Sequence, residues 1–141
     1  QSLVSKYRLN DIVNFIGGHP YIEAMNLLPY YDVLVLIEAI LDYGMFFPSK
    51  LVDYAQSKRP ILAISPSKGY VADKIKKKGG GIVVDNTDYR EIKIALWNMY
   101  QKWETNTLQD SYSTDGLLED YSTDKVIELY RSLFRQLGIS N

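Results

Sequence analysis

Val33 to Ile37 reads VLVLI, five apolar residues without a break, and similar runs recur at Ile61–Ile64 and Ile82–Val84. A strand with one wet face alternates apolar and polar residues, whereas a strand that is apolar throughout must be covered on both faces. PSKLVDYAQSKR lies between the first two runs and GYVADKIKKKGGG between the second and third. Both have the length and punctuation of a helix. Strands that alternate with helices make βαβ crossovers, which join parallel strands. The expected fold class is therefore α/β: a mostly parallel sheet with helices on both faces.

The rest of the chain is read around that frame. Residues 2–9 look like the end of a helix. In DIVNFIGG, Ile12, Val13, Phe15 and Ile16 suggest a fourth strand, ended by Gly17 and Gly18. Residues 20–30 form a short helix with Pro20 near its start and Pro29 near its stop. Lys76, Lys77 and Lys78 close a later helix, where cations suit the negative end of the dipole, and Gly79, Gly80 and Gly81 break it. Ile92, Leu96, Met99 and Trp103 form one apolar helical stripe, and Trp97 and Trp103, both on that helix, are expected to pack within the protein and not to stack against bases. Residues 104–122 are polar and expected as a loop. Residues 123–137 are expected as a last helix, capped by Thr123 or Asp124, with Val126, Tyr130, Leu133 and Leu137 on one face.

Size and composition narrow the function. A chain of 141 residues suits one domain around one core, compact or part of a larger unit. The net charge is -1, so no broad positive field points to a nucleic-acid partner. There is no cysteine, which excludes disulfides, a thiolate nucleophile and cysteine-held zinc. His19 is the only histidine. The apolar runs fall far short of the roughly 20 residues that span a bilayer.

In an open parallel sheet, ligands bind beyond the carboxyl ends of the strands. The helix starting near Pro48 follows such an end. Pro48 at the first helical position leaves no hydrogen bond unmade, and the first-turn N–H groups can receive a phosphate or diphosphate. Ser49 adds a hydroxyl and Lys50 a mobile cation. Asp53 lies on the same side and can accept from the vicinal hydroxyls of a ribose. The alternative for these residues is ordinary capping with a surface Lys50–Asp53 pair.

PSKLVDYAQSKRPILAI resembles the nucleotide-sugar-binding motif of the two-Rossmann-domain retaining glycosyltransferases of the group 1 type. The matching positions are Pro48, Ser49, Lys50, Leu51, Asp53, Tyr54, Arg59, Pro60, Ile61 and Leu62. DIVNFIGG, YYDVLVLI with Asp32, and KKKGGGIVVDNTDYREIKIAL resemble the flanking segments, so the likeness covers about residues 3–103. It implies a Rossmann-like, C-terminal donor-binding domain, represented here by its later part. The early strands and an acceptor-binding N-terminal domain are expected outside this chain. The resemblance also implies a nucleoside diphosphate sugar as donor substrate, no cofactor, no metal and a hydroxyl acceptor. Ser49 and Lys50 would bind the donor diphosphate and Asp53 the ribose. The family commonly carries a second acid near the donor sugar. That position falls at Met45 here, and the nearby acids Glu38 and Asp42 have no matching position. Catalytic residues are thus not assigned.

Ser67, Lys68 and Gly69 follow the second strand, where the resembling family approaches its donor; helix initiation is the equal alternative. His19, beside Gly17 and Gly18, is a weaker candidate for a ligand-binding or catalytic role. Asp85, Asn86 and Asp88 read as a turn, since they lack the spacing of a calcium loop. Two other functions fit the same residues: a non-enzymatic nucleotide-binding or protein-interaction module, and a sugar-nucleotide epimerase. The expected location is cytoplasmic, with peripheral association of the intact enzyme at the inner face of the membrane as a variant.

Overall fold

The computed structural model describes residues 3–139. In chain order its elements are α1 (Leu3–Lys6), α2 (Tyr21–Leu27) continued by a 3-10 turn (Leu28–Tyr30), β1 (Leu34–Ile37), α3 (Ser49–Gln56), β2 (Ile61–Ser65) and α4 (Tyr70–Lys78). Then follow β3 (Gly81–Asp85), α5 (Tyr89–Glu104), α6 (Leu108–Ser111), α7 (Asp115–Asp120) and α8 (Thr123–Gln136). The strands form one parallel sheet in the order β1-β2-β3, with Leu34 opposite Ile61 and Ile61 opposite Gly81. Helices cover both faces, so the fold is α/β and Rossmann-like.

Side chains alternate across a strand, so the central strand feeds two cores at once. Ile61 and Ala63 join Leu36, Leu51, Ala55, Val71, Ile75 and Leu117 on the face covered by α3, α4 and α7. Leu62 joins Val84, Ala95, Met99 and Leu108 on the face covered by α5 and α6. Ile61, Leu62 and Ala63 are all fully buried, which is why β2 carries no polar residue until Ser65. Burying one such large side chain contributes about 1.5–3 kcal/mol.

The sheet has three strands where the sequence suggests four. Residues 12–16 are not a strand. The Ile12 and Val13 N–H groups both donate to Leu9 O, at 3.0 and 2.8 Å, so the chain turns there. Ile12 and Phe15 are 79% and 78% exposed. An apolar segment becomes a strand only if a neighbour completes its hydrogen-bond ladder, and none of β1, β2 and β3 pairs with this one.

The segment 104–122 also departs from its expected loop, because α6 and α7 lie within it. Leu117 of α7 is fully buried against the α3–α4 face. It fits there because Gly80, at φ +94°, has no Cβ to collide with the Leu117 side chain. Thr114 Oγ1 donates to Ala55 O at 3.1 Å, and Lys74 and Lys78 reach Asp120 at 2.7 and 2.8 Å. Lys78 therefore holds α7 in place as well as suiting the end of α4. The last helix lies where it is expected, but its cap is Ser122, whose Oγ accepts from Lys125 N–H at 3.2 Å; Thr123 and Asp124 are already helical. Among the described residues, no helix is long and apolar enough to cross a membrane.

Candidate functional site at the carboxyl end of the sheet

The loops leaving β1 and β2 cross at Gly44 and Gly69, which form an isolated parallel bridge. Gly44 N–H donates to Lys68 O at 2.9 Å, and Tyr70 N–H donates to Gly44 O at 3.1 Å. Gly69 has φ +128°, and a Cβ on it would overlap the Gly44 backbone. Only glycine serves there, for both its conformation and its closeness. The crossing gathers the carboxyl ends of β1 and β2 and sets the start of α4, whose N-cap is Gly69. Ser67 and Lys68 are exposed beside it. Ser67 O accepts from Lys76 Nζ at 2.8 Å. At the end of β3, hydrogen bonds from Thr87, with further help from Ser67, hold the Asp85 carboxyl below its usual range.

α3 begins one residue later than the sequence suggests. Pro48 is its N-cap, at φ -75° and ψ 119°, and offers no side-chain cap. Ser49 and Lys50 are the first helical residues, both exposed, and their side chains make no hydrogen bond or ion pair among the described residues. The surface pair between Lys50 and Asp53, the alternative reading of these residues, does not form among the described residues. Asp53 is half-buried, and its Oδ1 accepts from Tyr21 OH at 2.9 Å, tying α2 to α3. That bond raises the Tyr21 phenol above its ordinary value. Tyr54 is raised too, first by burial and then by the Asp53 charge.

The remaining candidates are dispersed. His19 has Glu23 as its polar neighbour, with Nδ1 3.7 Å from Oε2. It lines a cavity of about 590 Å³ with Glu23, Asn26, Leu27 and Tyr30, beside α2. Met45 is 71% exposed and borders a cavity of about 370 Å³ with Gly44, Tyr70, Asp73, Lys74 and Lys77. Asp88 caps α5 by accepting from Arg90 and Glu91 N–H at 2.9 and 3.0 Å, as a turn residue would. Trp97 and Trp103 are not packed inside. They stack on either side of Tyr100, with centroids 5.5 and 5.9 Å away, on the open face of α5. An apolar cavity of about 480 Å³ lies between Tyr100, Trp103 and Leu96 on one side and Tyr31, Val33 and Val35 on the other, at the amino end of β1.

Ser49, Lys50 and Asp53 thus share one helix, and 67–69 share a crossing with Gly44. Three other residues carry no ligand-binding role in the sequence reading, which takes Asn86 only as part of a turn. Tyr21 meets Asp53 across a separation that no spacing rule encodes. Glu38 directly follows β1 and Asn86 directly follows β3, so polarity at the ends of apolar strands is the signal that marks them. Asn86 is 8% exposed, and its Nδ2 donates to Ala39 O at 2.8 Å and Glu38 O at 3.4 Å. The side chain thereby links the end of β3 to the end of β1. Among the described residues, no group of three His, Asp or Glu is placed to hold a metal ion. In comparisons with known proteins, no family model and no curated protein matches this chain.

Proposed function

We propose that this chain is the donor-binding portion of a glycosyltransferase that moves a sugar from a nucleoside diphosphate sugar to a hydroxyl acceptor. The observation that carries the reading is the start of α3. Ser49 and Lys50 are exposed and unengaged on the first turn of a helix that follows a parallel strand, with Asp53 one turn further on. First-turn N–H groups and a lysine suit a diphosphate, and a carboxylate suits ribose hydroxyls. The likeness of PSKLVDYAQSKRPILAI to the group 1 glycosyltransferase motif supports the same assignment. Lys50 and the helix N–H groups would stabilise the departing nucleoside diphosphate, and Asp53 would position the ribose without acting as the base. Acceptor binding belongs to a separate domain, so this chain alone gives no robust donor-dependent transfer. The intact enzyme would act in the cytoplasm, at the membrane's inner face if its other domain binds there.

Calorimetry with UDP and GDP tests the reading. One of them binds the 141-residue chain, and Asp53→Ala weakens it by about tenfold to a hundredfold, as expected for lost hydrogen bonds to a charged group. No binding of either at millimolar concentration, or binding that Asp53→Ala leaves unchanged, would sink it. A non-enzymatic module is the second reading, favoured by one observation: Asp53 already has a partner in Tyr21. It requires nucleotide binding that never leads to transfer when the acceptor-binding domain is supplied.

A further inference from the structure

Two cavities at the amino end of the sheet lie against each other and share Asp32, Trp103 and Leu108. The larger, of about 480 Å³, is the aromatic and aliphatic one between α5 and β1. The smaller, of about 160 Å³, adds Arg59, Asn106 and Gln109. The sheet register explains the meeting. Leu34 of β1 stands opposite Ile61 of β2, so two residues earlier Asp32 comes level with Arg59. Both residues line the smaller cavity, yet they form no ion pair, and the Asp32 carboxylate makes no hydrogen bond among the described residues. Arg59 is held in place: the Gln109 amide, oriented by its neighbours, accepts from an Arg59 N–H at 3.0 Å and donates to Lys58 O at 3.3 Å. Tyr100 stacks on one face of Trp103, so the rest of the indole is what the two cavities meet.

Those walls select a chemistry. A ligand seated between Asp32 and Arg59 must donate to the first and accept from the second. A hydroxyl does both. A phosphate at neutral pH is repelled by the carboxylate, and a hydrocarbon neither donates nor accepts. The same ligand needs an apolar surface for Trp103 and Tyr100. A pyranose combines the two, with C–H groups on the faces of its ring and hydroxyls around the rim. A few placed polar groups beside an apolar wall are the usual make-up of a ligand site. The groove is also open along its length, since Tyr31, Val35, Tyr100 and Trp103 are each more than 40% exposed, so a chain can lie through it. We propose that the amino end of the sheet holds a neutral oligosaccharide, stacked on Trp103 with hydroxyls shared between Asp32 and Arg59. This site is separate from the start of α3, which follows the carboxyl end of β1, and it stands whether or not a nucleotide binds there.

Tryptophan fluorescence reads this site alone, because the chain's two tryptophans are the two of this stack. The probes are maltohexaose, mannohexaose and chitohexaose, titrated into the 141-residue chain, with calorimetry on each variant. At least one hexaose is expected to shift the emission and to bind at millimolar concentration or below. Asp32→Asn keeps the shape and removes the charge, and it should weaken that hexaose about tenfold, as expected of a lost hydrogen bond to a charged group. Trp103→Ala should weaken it at least as much. Both positions are exposed, so both variants should melt within a few degrees of wild type. The proposal is overturned if no hexaose binds at millimolar concentration, or if either variant leaves binding unchanged. Where no hexaose binds, a shift caused by uridine or guanosine assigns the groove to a base, and a blue shift growing with protein concentration assigns it to a second copy; either overturns the proposal.

Discussion

Asp53 shows how one hydrogen bond can decide whether a site is ready. Its Oδ1 accepts from Tyr21 OH at 2.9 Å, so under the proposed function a ribose hydroxyl would have to share or displace that phenol. Tyr21 is 62% exposed and anchored by little else in its side chain, which makes displacement cheap. Tyr21→Phe removes the competitor and keeps the ring. It is expected to tighten binding of the nucleoside diphosphate by about fivefold, the worth of one ordinary hydrogen bond of about 1 kcal/mol. Calorimetry on the variant reads this directly, and weaker binding would mean that Tyr21 orients Asp53 for the ligand. Ser49, Lys50 and Asp53 are legible in the sequence because they lie within one turn of each other, where helical spacing fixes their neighbourhood. Tyr21 is not, because its contact with Asp53 depends on where α2 docks.

At the scale of elements, the parallel strands β1, β2 and β3 and the helices α3, α4, α5 and α8 are legible because each announces itself by an unbroken run or a repeating face. The failures share a cause. Residues 12–16 have a strand's composition but no partner, and strand formation is a property of a pair. α6 and α7 have too few residues for a period to show, yet α7 is locked by Leu117, Thr114 and Asp120. Asp120 makes that lock pH-dependent. Hydrogen bonds from Lys74 and then Lys78 depress its carboxyl from 3.8 to about 2. A depressed folded-state pKa stabilises the fold fully above the unfolded value and loses that contribution as pH falls through the folded one. The window is thus from about pH 4 down to about 2. Asp120→Asn is expected to lower Tm at neutral pH and to narrow its gap to wild type across that window. Thermal melts over pH 2–7 check it; a gap independent of pH would show that the two lysines contribute nothing through the charge of Asp120.

The whole molecule is sheltered on one face of its sheet and open on the other near β1. Leu34 and Leu36 are buried, but Val35 and Ile37 are 43% and 72% exposed, and the Trp97–Tyr100–Trp103 stack stands beside the same open side. β1 is also an edge strand: among the described residues it pairs with β2 and with no other strand. Its four residues, LVLI, hold no charge and no proline, the features that usually keep an edge from pairing with another chain. α8 adds a second apolar face, with Val126, Tyr130, Leu133 and Leu137 each at least 40% exposed. Exposed apolar surface of this extent drives association. The isolated chain is therefore expected to self-associate as its concentration rises, and β1 is the element to test. Ile37→Lys places a charge on the open face without touching either core. It should shift the sedimentation-velocity distribution toward monomer while changing stability by no more than about 0.5 kcal/mol. If association persists unchanged, the edge of β1 is not its route, and substitution on the apolar face of α8, beginning with Leu133→Lys, becomes the discriminating measurement.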